Sequence, residues 1–132
     1  MKASLIKKIL KAKQNNEKFI SVWGDGTPTR DFLFVEDAAR GLVRAAEKYD
    51  KTNPINLGTG VEVSIKDLVD LIMKVMNVNV KIKWDTNMPN GQPRRCVSTE
   101  KAFNEIGFRP QVTLEDGLRR TIEWYSKKIT RV

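Results

Sequence analysis

Histidine is absent from the 132 residues, and cysteine occurs once, as Cys96. Those shortages exclude a disulfide within the chain, a Cys/His zinc site and any imidazole general base. They also leave Cys96 without the imidazole partner that activates a thiol nucleophile. No apolar run approaches the roughly 18–20 residues needed to cross a bilayer. The N-terminal stretch, Met1-Lys2 and then a Lys-rich amphipathic segment, lacks the apolar centre and small-residue cleavage site of a secretory signal. A reducing cytoplasm is the expected compartment, with no membrane partner. Linkers and internal repeats are missing too, so residues 1–132 are expected to form a single domain.

What the chain has in excess is positive charge: 24 Lys and Arg against 16 Asp and Glu, a net +8. Such a balance attracts phosphates on nucleic acid, a membrane surface or a nucleotide. A solvated Lys-rich surface explains it equally well, since Lys2, Lys7, Lys8, Lys11, Lys13 and Lys18 crowd one end.

Periodicity divides the chain into helices and short strands. Leu5, Ile6, Ile9 and Leu10 recur at helical spacing over residues 2–14. Phe19–Trp23 is a β-type run closed by Gly24-Asp25-Gly26-Thr27-Pro28, and a second extended stretch runs from Arg30 to Val35. Glu36-Asp37 open a helix whose apolar set is Ala38, Leu42, Val43, Ala45 and Ala46; acidic residues there suit the helix dipole and serve as caps. Ile55-Asn56-Leu57 predicts a short strand entering Gly58-Thr59-Gly60. Ser64 predicts an N-cap, with Asp67 three residues on and a broad apolar face from Ile65 to Met76. Val78, Val80, Ile82 and Trp84 alternate with polar residues, as in a half-buried strand. The segment from Asp85 to Arg95 reads as an ordered, turn-rich loop. Thr99 is the expected cap of a short helix over Lys101–Ile106 ended by Gly107, and Thr113 the cap of a last helix. The order is mixed and lacks βαβ regularity, which predicts an α/β fold of irregular, α+β-like type.

Ligand-holding groups concentrate in two places. In Trp23-Gly24-Asp25-Gly26-Thr27-Pro28-Thr29-Arg30, glycines permit a tight turn and close backbone approach. Arg30 offers a planar fork matched to phosphate oxygens, and Trp23 a ring that can stack on a base or sugar. The stretch Met88-Pro89-Asn90-Gly91-Gln92-Pro93-Arg94-Arg95 joins side-chain amides to two guanidinium groups. Each cluster alone is also compatible with a structural turn or a solvated loop. Gly58-Thr59-Gly60 fits neither the dinucleotide nor the P-loop fingerprint and reads as a structural turn. Neither Tyr49 nor Tyr125 forms Tyr-x-x-x-Lys, so no catalytic residue is assigned.

Taken in order, these clusters resemble the extended short-chain dehydrogenase/reductase family of NAD-dependent epimerases and dehydratases, closest to the C-terminal half of the GDP-L-fucose synthases. The matching pieces are residues 22–33, 35–39, 55–60, 89–95 and 114–125, which span nearly the whole chain. The resemblance implies a nucleotide-sugar (GDP-sugar-like) binding portion without its Rossmann domain. It implies substrate contacts at Trp23, Arg30, Asn90 and Arg95, with Arg30 near the diphosphate. Asn90 stands where the family pattern usually has Asp.

The same resemblance implies NAD or NADP in intact relatives and no cofactor bound by this chain alone. The Gly-rich fingerprint, the Tyr-Lys pair and the upstream Cys and His of the family have no counterpart here, so the chain is expected not to be catalytic by itself. A separate Rossmann chain is an expected partner, as is self-association covering Leu42, Val43 and Ile55. The alternative is a basic nucleic-acid or protein-interaction module on a decayed epimerase scaffold.

Overall fold

The computed structural model describes residues 2–129, with side chains described from Leu5 to Lys128. Its elements are α1 (Lys2–Gln14), β1 (Phe19–Trp23), β2 (Thr29–Asp31), α2 (Val35–Lys48), β3 (Glu62–Ser64), α3 (Ile65–Met76), β4 (Lys81–Asp85), β5 (Arg94–Arg95), α4 (Glu100–Ile106) and α5 (Leu114–Ile129). This is the mixed α/β architecture that the irregular order of elements predicts.

The strands form two small sheets. β1 pairs in parallel with β4 over Phe19↔Lys81 to Trp23↔Asp85. Alternation sends Ile20 and Val22 into the core and leaves Phe19, Ser21 and Trp23 on the outer face. β2 is the centre of a second sheet, antiparallel to β3 and parallel to β5. Neither flanking strand is evident from the sequence. With three and two residues, β3 and β5 are too short and too polar to show a period of two, and β2 alone makes them strands. The extended stretch expected over Arg30–Val35 is shorter than that, because Val35 already begins α2.

The main core lies where α1, α3 and α5 close over β1. Leu5, Ile6 and Ile9 meet Ile20, Val22, Leu68, Val69 and Ile72, all buried, with Leu118 and Ile122 from α5. Burying each such side chain is worth about 1.5–3 kcal/mol. α3 has the ends its sequence calls for: the Asp67 amide donates to Ser64 Oγ at 3.0 Å and that hydroxyl donates to Asp67 Oδ2 at 2.6 Å. Asn77 closes the helix at φ 49°, in the left-handed region.

A smaller cluster of Ala102, Ile106 and Phe108 joins α4 to α2, with Leu33, Ala45 and Tyr49 against it. Gly41 is what lets α2 approach: a Cβ there would stand 2.8 Å from Leu57 Cδ1. Ile55 and Leu57 pack on this cluster, but no ladder forms at 55–57. The expected strand is therefore corrected, since a strand needs a neighbour and the described residues supply none.

The caps differ in instructive ways. Thr113 Oγ1 accepts from the Asp116 amide at 3.2 Å, as expected, whereas Thr99 makes no side-chain cap bond. Thr99 sits in helical backbone geometry (φ −104°, ψ −7°), not the extended geometry from which a capping side chain reaches the first-turn amides. Asp37 does not cap α2 either. It is fully buried and accepts from the Gln111 amide at 3.0 Å and the Val112 amide at 3.0 Å, with Arg40 as its ion-pair partner. One carboxylate thereby fastens the entrance of α5 to the first turn of α2. No helix among the described residues is long and apolar enough to cross a membrane.

Candidate functional site

The two clusters singled out in the sequence meet in space, on opposite sides of one groove. Parallel pairing of β1 with β4 carries Trp23 to the mouth of the groove at the same level as Asp85, where the 86–93 loop departs. The loop returns to the same turn. The Gly24 amide donates to the Asp85 carbonyl at 2.9 Å, the Asp25 amide to Asn90 Oδ1 at 2.8 Å, and the Thr29 amide to the Pro93 carbonyl at 2.9 Å.

Gly24 is required at this crossing. Its φ is +81°, and a Cβ would lie 2.0 Å from Asn90 Oδ1, well inside contact distance. Asp25 completes the turn by accepting from the Thr27 amide at 2.9 Å and the Thr27 hydroxyl at 2.7 Å. The Thr27 amide foremost, then its hydroxyl, then the Asn90 amide, hold the Asp25 carboxyl below its ordinary range.

Between these loops and α1 lies a cavity of about 440 Å³, walled by Leu5, Val22, Trp23, Ile65, Pro89 and Asn90. Its walls are mainly apolar, and Trp23 stands 59% exposed at the rim. That combination suits a flat ring better than a polar headgroup. Lys8 reaches the same wall and donates to the Ser21 carbonyl at 3.0 Å.

Arg30 and Arg95 do not line this cavity; they stand beyond the loop. The β2–β5 register sets them directly opposite one another, so both project from one face of the small sheet. Arg30 reaches the loop at Gly91, where a Cβ would stand 3.6 Å from its Nη2. Among the described residues neither Arg30 nor Arg95 has a carboxylate partner; Arg30 donates only to the Thr29 carbonyl, at 2.6 Å. Arg94 faces the other way, where its Nε donates to Glu62 Oε1 at 2.7 Å. Its bond to Glu62, followed by that of the Thr29 hydroxyl, lowers the Glu62 carboxyl, and Glu62 in turn raises Arg94. One face of the sheet is thus internally neutralised while the other presents two open guanidinium forks. The arrangement can bind an anion, and a diphosphate fits the fork geometry.

The structure accordingly brings Trp23 and Asn90 into one cavity and pairs Arg30 with Arg95, the two halves meeting at Gly91. The Asn90 oxygen is committed to the Asp25 amide. Asp25 and Asp31, whose carboxyls could by residue type be read as a catalytic pair, serve instead as acceptors that hold the turns flanking the site. The spacing of Asp25 and Thr27 was a usable signal, because Asp folds back on an amide two residues later. Asp31 accepts from the Thr59 amide at 3.0 Å, the Thr59 hydroxyl at 2.5 Å and the Gly60 amide at 2.9 Å. Those amides are spent on a side chain of the chain itself, so the Gly58-Thr59-Gly60 turn does not fit a pyrophosphate.

A second cleft of about 580 Å³ lies between α1, α5 and residues 32–36, lined by Phe34, Val35, Leu114 and Trp124 among others. It is larger but holds none of the predicted site residues, and its charged pair, Arg120 and Glu36, is joined at 3.2 Å. Beside it α2 exposes Leu42 and Val43, 65% and 57% accessible. Ile55 does not share that exposure, because it packs against Ala102, Ile106 and Phe108.

Comparison with known proteins identifies the family and fold of the chain. The family profile described as GDP-mannose 4,6 dehydratase matches residues 1–121. The putative GDP-L-fucose synthase 2 of Arabidopsis thaliana is 38% identical over 128 residues, covering 97% of this chain and 39% of that protein. The GDP-L-fucose synthase of Escherichia coli (strain K12) is 31% identical, with 92% of this chain and 40% of the relative covered. Among solved structures, a GDP-L-fucose synthetase from Naegleria fowleri bound to NADP superimposes with a TM-score of 0.87 at 28% identity, over 96% of this chain and 40% of that one. The chain therefore spans about two fifths of the length of the relatives it matches.

Proposed function

Since the chain belongs to the GDP-mannose 4,6-dehydratase family, we propose that it forms the nucleotide-sugar-binding portion of an NAD(P)-dependent epimerase/reductase. The observation that carries this reading is the open Arg30–Arg95 pair beside a ring-sized apolar cavity with Trp23 at its rim. The nucleoside enters the cavity and its base stacks on Trp23. The diphosphate passes Gly91 to the two guanidinium groups, and the sugar lies beyond them. NAD or NADP supplies the hydride chemistry and is held by residues outside this chain, because the amides of the Gly58-Thr59-Gly60 turn are already taken by Asp31. The residues present bind and orient; they do not oxidise, reduce or epimerise alone.

The partner that carries the cofactor is a Rossmann unit, and in its absence a second copy of the chain covers Leu42 and Val43. This stretch of α2 is apolar and open enough to favour association.

Thermal unfolding with GDP-mannose tests the binding reading. At a concentration about 100 times Kd the ligand adds roughly 2.7 kcal/mol, a rise of about 10 °C for a chain of this size. Arg30→Ala removes a charge-assisted contact worth about 1.5–3 kcal/mol and weakens binding roughly 10- to 100-fold. No protection by GDP-mannose, with salt-sensitive binding to single-stranded RNA, overturns this reading in favour of a nucleic-acid module.

A further inference from the structure

The contact between Asn90 and Asp25 joins positions 65 residues apart, and it is more specific than a loop contact needs to be. Three features of the site converge on it. The Asn90 oxygen receives the Asp25 amide at 2.8 Å. That same oxygen occupies the space above Gly24 where any side chain would collide. The neighbouring Gly91 lies against Arg30, and two residues further Pro93 accepts from Thr29 as β5 begins. Asn90 is thus the point at which the loop between β4 and β5 touches the turn between β1 and β2.

From this geometry we infer that Asn90 is the positioning residue of the groove, locking the 86–93 loop onto the Gly24-Asp25-Gly26 turn, and that the Asp25 carboxylate makes position 90 a place for an amide and not an acid. The inference rests on the nucleotide-sugar reading for what the groove holds, but the lock itself does not. An amide offers both an acceptor, used by the Asp25 N–H, and a donor. A carboxylate at 90 keeps the acceptor and sets a second negative group beside Asp25, whose own oxygen is already fixed by Thr27. Like charges so placed repel, and the loop that carries Gly91 against Arg30 loosens with them. The amide contribution of Asn90 to the depressed Asp25 carboxyl is consistent with this pairing.

A double-mutant cycle on the full 132-residue chain tests it. The variants are Asn90→Ala, Asn90→Asp, Asp25→Asn and the exchange Asp25→Asn/Asn90→Asp. Amide hydrogen exchange at residue 25, the thermal midpoint and GDP-mannose affinity are read for each. The expected result is Asp25 amide exchange about tenfold faster in Asn90→Ala. Asn90→Asp is expected to weaken GDP-mannose binding about fivefold and lower the midpoint, and the exchange variant to return both to within about twofold of, or close to, the starting protein. Rescue by a second substitution distinguishes a charge-specific lock from general damage. The inference is overturned if Asn90→Ala leaves exchange at residue 25 unchanged, or if the exchange variant is no better than Asn90→Asp. Should the unaltered chain fail to bind GDP-mannose, the substrate reading falls while exchange and midpoint still decide the lock.

Discussion

Replacing Asp37 by Ala is the most severe single change the structure suggests away from the groove. The carboxylate is fully buried and satisfies the Gln111 and Val112 amides while pairing with Arg40. Alanine leaves two backbone donors without an acceptor, at about 1–3 kcal/mol each. Breaking a buried ion pair adds to that, but the Arg40 side chain is 39% exposed and recovers hydration, so its share is small. The working figure is about 3–5 kcal/mol, against a total stability of roughly 5–15 kcal/mol for a domain of ordinary stability. Asp37→Asn keeps one acceptor and turns an N–H₂ group toward the other amide, so it should fall about midway. Urea unfolding with an unchanged m-value gives the loss directly, and amide exchange at 111 and 112 locates it. A loss under about 1 kcal/mol in Asp37→Ala, with those amides still protected, would refute the reasoning.

Further outcomes are equally specific. Gly24→Ala should cost about 2–4 kcal/mol, since it forces a Cβ into both left-handed backbone and the Asn90 oxygen; adding Asn90→Ala should recover the collision part only, as urea midpoints will tell. Asp25 and Glu62 both have lowered carboxyl pKa values from ordinary ones of 3.8 and 4.5, so their stabilisation is complete above about pH 5 and declines as pH falls through the depressed values. Glu62→Gln should flatten the acid side of a thermal midpoint–pH curve, and an unchanged slope below pH 4.5 would argue against it. Leu42→Glu with Val43→Glu should shift light scattering toward the monomer mass while leaving the thermal midpoint within about 2 °C; a starting protein that is already monomeric at high concentration removes the association proposal.

How far the sequence reveals these features depends on whether the cause is local. α3 is legible because its apolar stripe, Ser64 cap and Asp67 lie within one segment. β3 and β5 are not, since residues such as Glu62 and Arg94 become strand only by lying beside Thr29 and Asp31. Ile55–Leu57 fails in the opposite sense, having strand-like composition but no neighbour to pair with. In the site, Trp23, Arg30 and the 88–95 loop announce themselves through residue type. The contacts that shape them, Asn90 with Asp25 and Asp31 with Thr59, cross long stretches of chain and leave no periodic trace. Asp37 carried a helix-start signal and spent its oxygens elsewhere, because a buried acceptor beside two free amides outweighs a cap.

The pairing of β5 with β2 rests on two residues, and this gives the preceding loop a reading frame. Successive residues of a strand face opposite sides, so a slip of one position exchanges Arg94 and Arg95. Inserting or deleting one residue between Asp85 and Arg94 would turn the arginine now spent on Glu62 toward the groove and set the open one on the side of that acid. Shifts by two would preserve the sides. Length in this loop is therefore heritable information of a kind that residue identity does not carry, and its parity is what natural variation and engineering alike must respect.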